Sequence, residues 1–593
     1  MWKRTDKCGE LREQDVGRQV TLCGWVHRRR DHGGVIFVDL RDRSGLVQIV
    51  FNPADCSEET FGLAETLRSE FVVAVSGEVR RRLEGMENPR LATGKIEVFV
   101  QELNVLSAAA TPPISVEDER IDVDEAMRLR YRFLDLRRPQ VQRVFALRHR
   151  VAQLVRRYLD EQGFWEVETP MLTRSTPEGA RDFLVPSRLQ PGEFYALPQS
   201  PQLFKQLLMV SGFEKYFQIV RCFRDEDLRA DRQPEFTQID LELSFVTRED
   251  VIQVIEGLVR EVVRQVKGEE LPDPLPRLTY AEAMDRYGSD KPDLRFGMEL
   301  RNVSDLVKDS DFQVFSKVVS SGGVVKGLAV PTGASFARSR IDGLTKRATE
   351  LGAKGLAWMQ YTAEGEIKSP IAKFFSADVL QQIIARMEAK PGDLLIWVAD
   401  TPAVANQVLG QLRVELAGEL GLLEGKADYY LWVVEFPLVE YDEEEGRYVA
   451  VHHPFTAPLE EDTELLTTEP GRVRSAAYDL VCNGMEVGGG SIRIHDRQLQ
   501  QQMFELLGIS PEAAEEKFGF LLEAFRYGVP PHGGFAFGFD RWIMLLAGVD
   551  SIRECIAFPK TQRGTCLLTK APSAVAPKQL EEVGIRIAPR VKS

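Results

Sequence analysis

Cysteine is sparse and unpatterned in this 593-residue chain. Its seven cysteines, at 8, 23, 56, 222, 482, 555 and 566, form no C-x-x-C pair. That argues against a structural zinc site, and the odd count argues against a disulfide framework. Long apolar runs are also missing: the stretch 394–399 is typical of the longest, well short of the ~18 residues a membrane span needs. Residues 1–10 hold no apolar stretch behind their basic residues, so the expectation is a cytoplasmic protein without a secretory signal. No internal repeat is visible. What is there is ordinary: 44% hydrophobic and 28% charged residues, a composition that excludes a disordered or fibrous chain. The length suggests roughly three to five domains.

Positive charge is in deficit overall, with a formal net charge of −15. That would normally argue against a nucleic-acid partner. The deficit is uneven, because residues 1–107 hold 16 Lys/Arg against 17 Asp/Glu and the rest of the chain carries −14. Arginines concentrate in Arg28-Arg29-Arg30 and Arg80-Arg81-Arg82. A local basic patch can contact phosphates whatever the global sign.

Short apolar segments at 20–26, 35–40, 46–51, 71–82 and 96–106, with turn signals between them, predict a five-stranded barrel. A helix-like segment at 57–69 sits where a barrel of the OB type places one. A proline-bearing linker, 107–113, follows. Helical spacing of Val144, Leu147, Val151, Leu154, Val155 and Tyr158 predicts a helix over 141–162, closed by Gly163. Strands are expected at 217–223 and 236–245 around a charged loop, then a helix at 248–266. From about 296 to 422 the sequence turns to Gly-rich β/α alternation with few candidate catalytic residues, an inserted domain. Strand-like runs return at 430–436, 477–480 and 535–539.

The charged loop runs Arg221-Cys-Phe-Arg224-Asp225-Glu226-Asp227 through Arg232-Gln233-Pro-Glu235-Phe236. A solvated hairpin tip is the bland reading. Arg224 at the end of an apolar strand, and Phe236 opening the next, suit a guanidinium on a phosphate and a ring on a purine. The second segment, Gly533-Gly534-Phe535-Ala-Phe-Gly538-Phe539-Asp540-Arg541, places an arginine at a strand-to-helix junction behind glycines that allow close approach. Singly, Lys205 and Arg493 would be surface ion-pair partners, His452-His453 loop surface and Phe37 a core aromatic.

The two segments resemble the second and third signature motifs of class II aminoacyl-tRNA synthetases. Gly163-Phe-Trp-Glu-Val-Glu168-Thr-Pro170 matches the first motif. Thr176-Pro-Glu178-Gly-Ala-Arg-Asp182, Gln199-Ser200-Pro-Gln202-Leu-Phe-Lys205, His452-His453-Pro-Phe-Thr456 and Gly484-Met-Glu486-Val-Gly-Gly-Gly490-Ser-Ile-Arg493 are similar to bacterial-type aspartyl-tRNA synthetases of subclass b. The resemblance spans nearly the whole chain. It implies a multidomain α+β architecture: an N-terminal OB-fold β-barrel (1–107) that binds an anticodon, a hinge (108–140), an antiparallel-sheet catalytic domain in two parts (141–295 and 422–560), an inserted α/β domain (296–421) and a C-terminal extension (561–593).

The implied reaction joins L-aspartate and ATP into an aspartyl-adenylate, then passes the aspartyl group to tRNA. Arg224 and Arg541 would be the catalytic arginines. ATP would meet Arg224, Asp225, Glu226, Gln233, Phe236, Glu486, Gly538, Phe539, Asp540 and Arg541. Asp479 and Glu486 would hold Mg²⁺, a hard cation suited to carboxylates. Lys205 and Arg493 would face the substrate carboxylate with His452 and His453 nearby, and Glu178, Ser200, Gln202 and Asp240 would take the ammonium group. Two unpaired cations would reject asparagine, which leaves each without a partner. Glu178 sits in a stretch whose glycine suggests a loop that closes over substrate.

On the barrel, Phe37 and Gln48 match positions that stack on and read anticodon bases, with Arg28, Arg29 and Arg30 on phosphates. The loops carrying His32 and Gly85 resemble those of enzymes that charge both aspartate and asparagine tRNAs, which implies a functional link to a tRNA-dependent amidotransferase. The first motif implies a homodimer. A strictly discriminating aspartate enzyme and a catalytically inactive RNA-binding paralogue are the alternatives; the second is disfavoured by an intact set of Arg224, Arg541, Asp479 and Glu486.

Overall fold

The computed structural model describes residues 2–116, 123–176, 179–228 and 231–588. The chain divides into two compact units, Met1–Ala146 with Arg553–Ala574 and Leu147–Ile552 with Val575–Ser593.

The first unit is built around a closed barrel of β1 (Gln19–His32), β2 (Val35–Asp42), β3 (Gly45–Phe51), β4 (Val72–Arg81) and β5 (Ile96–Ser107), paired in the order β1-β2-β3-β5-β4. The two-residue period of a strand sends Val20, Leu22 and Val26 of β1, and Ile36, Val38 and Leu40 of β2, into one apolar interior. Helix α1 (Glu58–Thr66) lies between β3 and β4, and the Ser57 hydroxyl accepts the Thr60 amide hydrogen at its start. β1 extends six residues past the predicted end. Its register shifts between Val26 and Arg28, and pairing then continues to His32↔Val35. Both faces of that extension are polar or half-exposed, so no apolar alternation marks it.

Beyond the barrel, α2 (Glu125–Arg130) and α3 (Arg132–Asp135) close the unit. Buried Arg132 donates to the carbonyls of Arg553, Ile556 and Ala557, each at 3.0 Å, and to Asp135 at 2.6 Å. These bonds tie the segment from Arg553 onward to the N-terminal residues. Side-chain patterning gives no sign of it, because three of the acceptors are backbone carbonyls.

In the second unit an eight-stranded sheet carries the site. Helix α4 (Pro139–Glu161), which begins in the first unit, leads to the edge strand β6 (Trp165–Glu166) through Gly163, whose φ of 81° suits glycine. A small hairpin, β7 (Leu184–Pro186) and β8 (Phe194–Ala196), precedes α5 (Gln202–Val210), β9 (Lys215–Phe223) and β10 (Glu235–Ser244). Helix α6 (Arg248–Lys267) has a Thr247–Asp250 capping box and a left-handed Gly268 at its end. After β11 (Arg277–Thr279) and α7 (Tyr280–Tyr287) comes the insertion, with β12 (Arg301–Asn302), β13 (Val324–Val330), β14 (Ala357–Tyr361), β15 (Ile367–Lys368) and β16 (Leu394–Asp400). Its sheet order is β12-β13-β16-β14-β15, with an apolar cluster on each side. The strand–helix alternation there suggested an α/β arrangement, yet every pairing is antiparallel. The turn between β14 and β15 is too short for a parallel crossover. Arg413, buried in the helix Pro402–Glu419, donates to the carbonyls of Asp293, Phe296, Gly297 and Met298 and so fixes the entry to the insertion.

The chain then returns through β17 (Tyr430–Val434), the hairpin β18 (Val439–Asp442) and β19 (Arg447–Ala450), β20 (Ala477–Cys482), β21 (Met485–Ile492) and β22 (His532–Gly538). The large sheet runs β11-β17-β20-β21-β22-β10-β9-β6, antiparallel except for its two outer pairs. Its centre is therefore made of strands from both sides of the insertion.

Candidate active site

Two rows of residues cross the central strands. One runs Tyr216, Glu242, Gly534 and Ser491; the other runs Gln218, Asp240, Ala536, Gly489 and Asp479. The rows lie two residues apart on each strand, so both face the same side of the sheet. They border a cavity of about 750 Å³ lined by Ser200, Gln202, Lys205, Arg224, Glu226, Gln233, Phe236, Asp240, His452, His453, Asp479, Glu486, Arg493, Gly538, Asp540 and Arg541, among others. Ser200 and Arg541, 341 positions apart in sequence, therefore meet in one cleft.

At the inner end, α5 brings Lys205 over the sheet. Its ammonium lies 2.6 Å from Asp240 Oδ1 and 3.3 Å from Glu242 Oε2. Arg493, just past β21, donates from Nε and Nη2 to the two oxygens of Glu242 at 2.9 and 3.2 Å, and from Nη1 to Ser491 Oγ at 2.7 Å. Nη1 also lies 2.9 Å from His453 Nε2. The expectation of two unpaired cations is thus corrected: both are paired before any substrate arrives. The reason is desolvation, since a lone buried ammonium or guanidinium costs several kcal/mol. Taken singly either would read as a surface ion-pair partner, but Lys205 and Arg493 are 1% and 2% exposed. Of the three ammonium hydrogens of Lys205, two are engaged by carboxylates; of the five N–H groups of Arg493, four are engaged. One donor on each is left for a ligand.

Burial pushes the Asp240 carboxyl up to about 6 although Lys205 opposes it. Burial also works against the charge on Glu242, but Arg493 and Lys205 prevail and its carboxyl sits below the usual range. Burial, aided by Arg493 and His452, holds His453 well below the ordinary histidine range, so its ring is neutral. Glu242 was absent from the sequence-predicted set. The signal was present in β10, where Gln238, Asp240, Glu242 and Ser244 alternate with Ile239, Leu241 and Leu243: a strand with one apolar face and one wholly polar face.

At the outer end, Arg224 follows β9 directly. Its amide donates to the Pro234 carbonyl and its guanidinium carbon lies 5.1 Å from the centre of the Phe236 ring. Glu226 pairs with Arg232 at 3.4 Å, and Gln233 is buried on the cavity wall. Arg541 donates to the Glu486 carbonyl at 2.6 Å and to Asp231 at 3.2 Å. Two expected nucleotide contacts, Asp225 and Phe539, are not on the cavity wall. The Asp225 amide bonds the Arg181 carbonyl, and Phe539 is buried under the guanidinium of Arg148. Asp540 reaches the wall, but its oxygens take Arg148 Nη1 at 2.5 Å and the Thr237 amide at 2.7 Å.

Asp479 and Glu486 project from β20 and β21, where a register shift between Leu480 and Val481 re-aims the side chains. A Cβ at residue 489 would come within 2.4 Å of Asp479 Oδ1, so glycine there makes room for the carboxylate. Burial raises the Glu486 carboxyl, and the Asp479 charge adds to the shift. Arg541, Lys291 and His452 offset that repulsion only in part, and two such carboxylates suit a hard divalent cation that completes its shell with phosphate and water. His452 backs this pair, with Nε2 3.7 Å from Asp479 and its ring edge-on to Phe436 at 5.0 Å. Burial works against its charge, but Asp479 outweighs that and raises its pKa.

Glu178 lies outside the described residues. Gln199, also unpredicted, donates to the Ala180 carbonyl and Asp182 and accepts from the Ala180 amide. It anchors the 180–182 stretch next to Ser200 on the wall.

On the barrel, the arginine triplet does not act as one patch. Arg29 turns to the Ala64 carbonyl at the end of α1, while Arg30, directly across from Phe37, bonds Asp39 and Gln48. The strand period splits neighbours between faces. Gln48 is 9% exposed and its amide donates to Glu97 at 2.7 Å, so both its ends are engaged. His32 sits exposed, 6.1 Å edge-on from Phe37, and Gly85 is exposed in its loop.

Residues 124–562 match the family described as tRNA synthetases class II (D, K and N), and 20–106 match the OB-fold nucleic acid binding domain. The chain belongs to the class II tRNA synthetases. Among relatives of this synthetase, the aspartate–tRNA(Asp/Asn) ligase of Moorella thermoacetica is 62% identical over 587 residues, 99% of this chain and 97% of that one. That of Halothermothrix orenii is 59% identical over 99% and 98%. The aspartate–tRNA ligase of Staphylococcus epidermidis is 56% identical over 99% and 100%. Among solved structures, asparaginyl-tRNA synthetase from Pyrococcus horikoshii with asparaginyl-adenylate superposes with a TM-score of 0.59 at 20% identity, covering 95% of this synthetase and 99% of that chain. At that identity the likeness speaks for the fold.

Proposed function

We propose that the chain attaches L-aspartate to tRNA through an aspartyl-adenylate and does so on both aspartate and asparagine tRNAs. The observation that carries the amino-acid choice is the pair Lys205 and Arg493, each fully buried, each with one donor left at the inner end of the cavity. A β-carboxylate accepts both donors with full charge. A carboxamide offers one oxygen, and its NH₂ meets a cation. Asp240, whose second oxygen has no hydrogen-bond partner among the described residues, suits the substrate ammonium together with Ser200, Gln202 and Glu178.

In the first step a carboxylate oxygen of aspartate attacks the α-phosphorus of ATP and pyrophosphate leaves. Arg224 supplies positive charge where it builds in that transition state, and Phe236 and Arg541 hold the adenine and the distal phosphates. Asp479 and Glu486 are the residues that would hold Mg²⁺, which neutralises phosphate charge when bound. Asp540 positions the Arg541 helix by tying it to Thr237 and Arg148. In the second step the terminal tRNA hydroxyl attacks the activated carbonyl and AMP leaves. Phe37, Arg28 and Arg30 give the barrel a stacking ring and cations for single-stranded bases.

Charging of both tRNAs rests on His32 and Gly85 and on relatives named for aspartate and asparagine tRNAs. It links this chain to an amidotransferase that converts aspartyl-tRNA(Asn), in the cytoplasm where tRNA is consumed. Edge strand β6, with Trp165 63% exposed, supports a homodimer joined through residues 163–170. Aspartylation of the two transcripts by one enzyme preparation tests the reading. Comparable kcat/KM is expected; a preference of about 100-fold, or about 2.7 kcal/mol, for the aspartate tRNA would make the enzyme strict. Arg224→Ala is expected to abolish aspartate-dependent ATP–pyrophosphate exchange, and near-normal exchange would remove Arg224 from the site.

A further inference from the structure

Glu242 is fully buried and does not line the cavity, so it cannot touch a substrate, yet it contacts both cations at the cavity's inner end. Oε1 accepts from Arg493 Nε at 2.9 Å, and Oε2 accepts from Nη2 at 3.2 Å while lying 3.3 Å from the Lys205 ammonium. A two-pronged contact of this kind fixes the plane of a guanidinium as well as its place. With Nε and Nη2 held, Nη1 is the edge turned to Ser491 and His453 on the wall. On the neighbouring strand, Gly534 stands directly opposite Glu242. A Cβ there would lie 1.8 Å from Glu242 Oε2 and 2.6 Å from its carboxyl carbon, besides 2.3 Å from the Leu241 carbonyl oxygen. The carboxylate thus occupies the space that any other residue at 534 would need.

We propose that Glu242 is a positioning residue for aspartate specificity: it sets Lys205 and Arg493 in the geometry that receives the β-carboxylate, and residue 534 is glycine to leave its carboxylate that place. This rests on the aspartate reading of the pocket and extends it to two residues outside the cavity wall. Glu242→Gln keeps the volume but turns an NH₂ toward groups that are themselves donors, so the cations must move apart.

Aspartate-dependent ATP–pyrophosphate exchange tests the proposal on the full chain. Glu242→Gln is expected to raise the aspartate KM about 30-fold or more, with the ATP KM within about threefold of wild type. Gly534→Ala is expected to give the same split. In a Glu242→Asp background, where the shorter carboxylate vacates the contested space, Gly534→Ala is expected to cost less than it does in wild type, because coupled neighbours are not additive. An aspartate KM within threefold in a folded Glu242→Gln enzyme, or equal rises in both KM values, overturns the assignment. So does an alanine at 534 that costs the same in both backgrounds, which would trace its effect to the Leu241 carbonyl. Should Glu242→Gln fail to fold, the Glu242→Asp and Gly534→Ala pair carries the test alone. Absence of aspartate-dependent exchange in the wild type would instead refute the underlying substrate reading.

Discussion

Arg541 meets Asp231 at 3.2 Å across the mouth of the cavity, so the guanidinium proposed for the ATP phosphates already holds a carboxylate. Both side chains are partly exposed, 22% and 39%, and such a pair is worth at most about 1 kcal/mol. A phosphate must displace it. Asp231→Asn is therefore expected to lower the ATP KM by up to about fivefold with kcat little changed, as read by exchange kinetics; an unchanged or higher KM would mean the pair does not oppose binding. A second residue-scale consequence concerns His532. Its Nδ1 lies 2.8 Å from the Pro530 carbonyl and its Nε2 lies 3.0 Å from the Gln206 amide nitrogen, an arrangement that suits the neutral ring. Burial lowers its pKa below the ordinary 6.5, and Glu242 only partly offsets this. The unfolded chain takes up a proton below pH 6.5 that the folded ring resists, so this stability is present above 6.5 and lost as pH falls. The slope is at most about 1.4 kcal/mol per pH unit for one histidine. Thermal melts between pH 7.5 and 5.5 are expected to show a shallower decline for His532→Gln than for wild type; parallel curves would refute the neutral buried ring.

At the scale of elements, strands were legible wherever one face was apolar. The five barrel strands and β9, β10, β17, β20 and β22 all lie on predicted segments, because alternation or an apolar run reports burial directly. The polar half of β1 and the three-glycine strand β21 were not, since neither contains an apolar pattern; backbone pairing with β2, and with β20 and β22, makes them strands. Helix α6 lies on the predicted 248–266 segment, and Thr247, Asp250 and Gly268 fix its ends. Thr247→Ala is expected to cost about 1 kcal/mol through loss of the cap, read as a lower midpoint in urea; an unchanged midpoint would show that tertiary packing alone holds that end. The β10–β22–β21 rows explain why glycines crowd this part of the sheet: at 489 and 534 the missing Cβ is replaced by a carboxylate from the next strand.

At the scale of the whole molecule, the first unit is completed by a segment more than 400 residues downstream of its helices. Arg132 and Asp135 form its buried charged centre, with Asp135 fully covered and the half-buried Arg128 paired to it. Arg132→Ala removes a partner of that carboxylate and three hydrogen bonds to backbone carbonyls, and is expected to destabilise the unit by about 3–5 kcal/mol. Hydrogen exchange of the 553–574 segment would report it, and unchanged protection there would refute the role.

The sequence by itself determined the family, the barrel, most strands of the two-part sheet and about half of the cavity wall, because motif residues and strand periodicity are local properties. It did not determine that Lys205 and Arg493 are paired, that Glu242 and Gly534 share one space, that Asp540 serves Thr237 and Arg148, or that Arg29 and Arg30 part company. Each of these depends on which residues stand opposite one another across strands distant in the chain. Pairing register and the desolvation of charges settle that, and both exist only once the sheet has formed.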